Sequence, residues 1–173
     1  MTFSIRKIIR AFAAPEHRLS CSSHLWRDGF EELRRRTEGA HESGAFLLGD
    51  CDGERRRITR FVYYDDLDPH SLKTGIVVFD GAGYGPLWQI CRETGLTVVA
   101  DVHVHGGFPY QSQSDRENPM IALPGHIAVI VPDFAKRLVG ANELGVYTYK
   151  GEHQWTDYSG KRADKFFYIG LWG

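Results

Sequence analysis

Leu96-Thr97-Val98-Val99-Ala100-Asp101-Val102-His103-Val104-His105 is the most strand-like run in the chain, rich in β-branched residues and stopped by Gly106-Gly107. Side chains two apart in a strand share a face, so His103 and His105 present both imidazoles on one side at its C-terminal end. Two converging neutral imidazoles make half of a zinc site. The pair is not diagnostic by itself, because strand faces also carry structural histidines, and a third ligand has to be found.

Beyond Gly106-Gly107 a polar segment leads into a short helix over residues 116–123, followed by strands over residues 126–132, 145–150 and 165–169. On the N-terminal side, residues 76–79 (Ile-Val-Val-Phe) read as a strand. After them come the glycine-rich link Gly81-Ala82-Gly83-Tyr84-Gly85 and a helix carrying Leu87, Ile90 and Cys91 up to Gly95. Gly44-Ala45-Phe46-Leu47-Leu48-Gly49 reads as a buried strand, Asp52-Gly53 as a turn and residues 58–64 as the returning strand, which sets Glu42 at the mouth of a hairpin. Ser22 or Ser23 can cap a helix of about four turns whose Trp26, Phe30 and Leu33 fall at i, i+4 and i+7, ending near Gly39. This order predicts an α/β fold, a mixed sheet flanked by helices. No internal repeat or long linker divides residues 1–173, so a single domain is expected.

The length of 173 residues suffices for a real core and is too short for an eight-fold barrel or a two-domain enzyme. A formal charge of −1 argues against nucleic acid or an anionic membrane as partner, and no stretch approaches the length of a membrane span. Arg34-Arg35-Arg36 behind Glu31 and Glu32 forms acid/base pairs at i, i+4 and reads as a solvated helix face. Cys21, Cys51 and Cys91 lie too far apart in sequence to suggest a disulfide framework or a thiolate metal site. The basic N-terminal run over residues 4–14 is broken by Arg10 before it reaches signal-peptide length, so the expected compartment is the cytoplasm.

Asp115 is the candidate third ligand, ten positions after His105 across a loop that contains Gly106, Gly107 and Pro109. Three protein ligands leave one tetrahedral position open, the pattern of catalytic rather than structural zinc. Ser112-x-x-Asp115 also reads as a helix capping box, and the two roles are compatible. A proton acceptor is still required, and Glu42, beside Ser43-Gly44 and an apolar strand, is the candidate.

Glu42-Ser43-Gly44-Ala45-Phe46-Leu47-Leu48-Gly49, then His103-x-His105, then Ser112-x-x-Asp115 resembles the signature of the JAMM (MPN+/JAB) zinc metalloproteases over about residues 18–131. The resemblance implies a single JAB/MPN-like domain of cytidine-deaminase-like fold, with its core at about residues 18–150. By motif position it assigns Zn²⁺ to His103, His105 and Asp115, general base and acid to Glu42, and oxyanion stabilisation to Ser112, leaving Ser114 as a loop residue. It further implies a peptidase or isopeptidase acting after the C-terminal glycine of a ubiquitin-like protein, which deconjugates that protein from its targets or processes its precursor. Asn118-Pro119 looks like the bacterial members, which often accompany E1-like and E2-like proteins in conjugation systems, some of them antiviral. Three features depart from the family pattern: Gly106 stands where proline is usual and adds loop flexibility, Val104 stands between the histidines, and the interval from His105 to Ser112 is one residue short of many eukaryotic members.

Other readings fit less well. Asp101-x-His103-x-His105 resembles the opening of amidohydrolase barrels, but too few residues follow for the remaining strands. Gly81-x-Gly83-x-Gly85 misplaces its third glycine for a dinucleotide site and reads as a flexible loop beside the cleft. A metal-free MPN scaffold would lack ligands, and a RadC-like DNA-repair relative would need a preceding helix-hairpin-helix module. His70 reads as a turn residue and His126 as a satisfied core histidine. Trp155, Phe166, Phe167, Tyr168 and Trp172 read as packing residues.

Overall fold

Ser22 joins the first strand to the first helix: it ends β1 (Leu19–Ser22), and its Oγ accepts the Leu25 N–H at 3.2 Å to open α1 (Ser23–Thr37). The computed structural model describes residues 16–79, 81–171 and 173, so the N-terminal run over residues 4–14 and Trp172 lie outside the described residues. Trp26, Phe30 and Leu33 form the buried stripe of α1, as their spacing predicts, and Glu38 and Gly39 end the helix at positive φ. The expected hairpin follows as β2 (Gly44–Asp52) and β3 (Arg55–Tyr63). Beyond it lie α2 (Tyr64–Leu67), α3 (Gly81–Thr94), β4 (Thr97–Val104), α4 (Gln113–Glu117) and β5 (Ile127–Val131). β6 (Gly145–Gly151), β7 (Gln154–Asp157), α5 (Ala163–Phe166) and β8 (Phe167–Gly170) complete the order.

Among the described residues the strands form one mixed eight-stranded sheet in the order β7-β6-β5-β4-β2-β3-β1-β8. Residues 44–49 of the central strand β2 are buried on both faces, which explains their continuous run without a polar side chain. Its Ala45 and Leu47 pack with Trp26, Phe30 and Leu33 of α1, and its Phe46 and Leu48 pack with Tyr64 and Leu87 on the opposite side. β4 follows the same alternation, with Val102 and Val104 on the α1 face and Asp101 and His103 on the other. Among the described residues no helix is long and apolar enough to cross a membrane.

Several elements differ from the sequence pattern. Residues 76–79 pair with no strand among the described residues. They run as an irregular segment in which Val78 N–H donates to Ser71 O at 2.8 Å. The glycine-rich residues 81–85 are not a loop but the first turns of α3, where Gly83 lies under the Phe79 ring. Tyr64 starts α2 instead of ending β3, α4 begins and ends earlier than residues 116–123, and residues 163–166 are helical before β8. Arg36 is also not on a solvated face. Its guanidinium binds Glu32, Asp65 and Asp66 and lies 4.2 Å from the centroid of the Tyr63 ring, tying α1 to α2.

Gly44 makes the close approach on which the site depends. A Cβ there would meet Tyr64 Cε2 at 2.3 Å and the Val102 carbonyl at 2.7 Å. Gly44→Ala is therefore expected to lower stability by about 1–3 kcal/mol, the usual cost of overpacking, read as a lower urea midpoint at unchanged slope.

Candidate metal centre

Strand pairing brings the separated segments together. β2 runs antiparallel to β4 with Gly44 opposite His103, and the Ser43 carbonyl accepts the Val104 N–H at 2.8 Å. Glu42 thus emerges beside the end of β4, which carries His103 and is followed directly by His105. β5 lies parallel to β4, so the intervening chain must cross over, and the crossover carries α4 back across the strand ends.

α4 starts with a reciprocal cap. Ser112 Oγ accepts the Asp115 N–H at 3.1 Å, and Asp115 Oδ2 accepts the Ser112 N–H at 2.6 Å. The same carboxylate faces both histidines, so the capping and ligand roles coincide in one residue. Nε2 of His103 and Nε2 of His105 stand 3.0 Å apart, with Asp115 Oδ1 3.4 Å from the first and Oδ2 3.3 Å from the second. These three groups could hold a metal ion. A tetrahedral ion about 2.0–2.1 Å from each ligand needs them about 3.3–3.4 Å apart, close to the separation of each imidazole nitrogen from one Asp115 oxygen, and two nitrogens with one oxygen are donors that zinc takes.

Burial opposes charge at this triangle, but its neighbours prevail. Desolvation disfavours the His103 imidazolium, yet Asp101 and Asp115 outweigh it and push the pKa up to about 10. Burial likewise opposes the Asp115 carboxylate, while His103, His105 and the Ser112 N–H hold its pKa well below the usual carboxylate range. The metal-free site is therefore a tight cluster of opposite charges.

Glu42, His103, Ser112 and Asp115 line one cavity of about 530 Å³. Glu42 is half-buried. Its N–H donates to Gly75 O at 3.0 Å and its Oε2 accepts the Val77 N–H at 3.1 Å, so the irregular 75–77 segment aims the carboxylate. Exposed Ile76 and Val78, with Phe79, Tyr84 and Trp155, form apolar walls.

Other residues take places that the sequence left open or assigned differently. Trp155 donates its indole N–H to Arg116 O at 3.1 Å and so braces α4; no local pattern marks this role, because β7 is only four residues long. Ser114 is helical and lines the cavity rather than sitting in a loop. Gly106 sits between hydrogen-bonded neighbours and against a ring. Phe134 N–H bonds His105 O at 2.8 Å, Asp133 N–H bonds Gly107 O at 3.0 Å, and a Cβ on Gly106 would stand 2.4 Å from the Phe134 ring. His70 is exposed, and its N–H bonds Asp68 Oδ1 at 2.9 Å in a turn, as expected. His126 is a buried, satisfied histidine, and its partner is Asp101.

No protein-family model matches the chain. A protein of Desulfitobacterium hafniense, solved in solution, is similar in structure with a TM-score of 0.59 at 16% identity, over 82% of this chain and 90% of that one. A protein of Salinibacter ruber, also solved in solution, aligns with a TM-score of 0.47 at 22% identity, over 75% of this chain and 84% of that one. The likeness to the first is one of fold: a mixed sheet with helices.

Proposed function

We propose that the protein is a zinc-dependent isopeptidase of JAB/MPN type that cleaves after the C-terminal glycine of a ubiquitin-like protein. The observation that carries this reading is the placing of Glu42 in one cavity with His103 and Asp115 by the antiparallel β2/β4 register. A divalent metal bound there supplies Lewis acidity, lowering the pKa of water and polarising a carbonyl oxygen. Glu42, aimed by Val77, accepts the proton of the attacking water and returns it to the leaving amine. Ser112, its oxygen engaged by the Asp115 N–H, keeps its O–H as a donor to the developing oxyanion. The apolar walls at Ile76, Val78 and Trp155 suit a narrow, extended chain end. Free Cys21, Cys51 and Cys91 suit a reducing compartment, the cytoplasm, where E1-like and E2-like partners of such a system would act.

The test is elemental analysis of the purified protein, together with cleavage of fusions joining ubiquitin-like proteins through their terminal glycine to a reporter. About one zinc per chain is expected. Cleavage should fall after that glycine, stop with a chelator and return with zinc. A protein that takes up no metal, or that takes it up and leaves every fusion intact, overturns the proposal.

A further inference from the structure

Beneath the metal triangle lies a carboxylate that the chemistry above does not use. Asp101 is 1% exposed, and a buried carboxylate without partners is strongly unfavourable. Its partners come from three elements. His126 Nε2, at the start of β5, lies 2.5 Å from Oδ1, the Tyr64 hydroxyl of α2 donates to Oδ2 at 3.4 Å, and His103 Nδ1 lies 3.8 Å from Oδ2. Asp101 and His103 share a face of β4, and β5 pairs Ala128 with Asp101 across the ladder, which brings His126 alongside. Since Nε2 of His103 is the nitrogen in the triangle, Nδ1 is the one left facing Asp101.

We infer that Asp101 and His126 are positioning residues for the metal: His126 holds Asp101, and Asp101 holds the His103 ring with Nδ1 protonated and Nε2 free to ligate. A metal-binding imidazole needs its proton on the other nitrogen, and a carboxylate facing that nitrogen selects the tautomer and sets the ring's rotation. The arrangement also accounts for a fully buried acid at a position where the sheet elsewhere places apolar residues.

Asp101→Asn separates this role from packing. The amide oxygen can still accept from His126, while the amide N–H₂ then faces His103 Nδ1–H, donor against donor. Zinc affinity, measured by competition with a chelating dye on purified protein without substrate, is expected to fall about 10–100-fold. The visible spectrum of the cobalt-loaded variant should shift with the changed ligand field, and the chelated protein should unfold at nearly the wild-type temperature. Tyr64→Phe removes a hydrogen bond from the same carboxylate without altering either imidazole, and wild-type affinity is expected. Unchanged affinity and spectrum in Asp101→Asn, or an equal loss in Tyr64→Phe, overturns the inference. The inference rests on the metal-site assignment, and the measurement involves no substrate, so its outcome is independent of whether peptide-bond cleavage is found.

Discussion

Glu42→Gln is expected to keep its zinc and to lose cleavage of a ubiquitin-like fusion by about 10²–10⁴-fold in kcat, the usual contribution of a general base. The substitution suits the geometry. Glutamine retains an oxygen that can accept the Val77 N–H, so the 75–77 segment and the cavity wall keep their places. Only the ability to hold a proton is removed. Glu42 is not one of the three groups that could hold the ion, so elemental analysis should give wild-type metal content. An active Glu42→Gln protein would assign the proton to another group, and a metal-free one would make Glu42 a ligand.

Asp115→Asn is expected to weaken zinc binding by more than the 10–100-fold typical of a residue that only supports a ligand, because it replaces an anionic ligand with a neutral amide. The asparagine oxygen can still accept the Ser112 N–H, so the start of α4 is preserved and the loss is read at the metal, by the same dye competition. A linked pH effect is expected in the wild type. The metal-free His103, its pKa pushed up to about 10, is protonated at neutral pH and must lose that proton to ligate. Affinity therefore rises with pH from about 6 to about 8, by up to tenfold per unit for one proton released. An affinity that falls or stays level over that interval contradicts the charge assignment at His103.

Much of the arrangement was legible in local pattern. The alternation of β4, continued one residue past its end, places His103 and His105 on one face, Ser22 announces α1, and Ser112-x-x-Asp115 announces α4. Each of these follows from residues within a few positions of one another. The misreadings arose where distant contacts outweigh local preference. Residues 76–79 have the composition of a strand, yet among the described residues they pair with no strand and instead bond Ser71 and hold Glu42. Gly81, Gly83 and Gly85 are poor helix formers, yet Gly83 in α3 accommodates the Phe79 ring, which a larger residue would exclude. Asn118-Pro119 stops α4 early, since a residue before proline avoids the helical region, a local signal that the expected helix over 116–123 overran.

For the candidate metal site, the sequence by itself determined the residue types and the shared face of His103 and His105, because strand geometry is set by the backbone of each residue and its neighbours. Only the tertiary structure decided that Glu42 comes out beside them, that the crossover returns Asp115 to within 3.4 Å of His103, and that Asp101, His126 and Trp155 brace the assembly. Register and crossover are chosen by the burial of both sheet faces together, and a one-residue slip of β2 would turn Phe46 and Leu48 toward the α1 side. That dependence on the whole core is why the pairing of Glu42 with β4 has no signature in either segment alone.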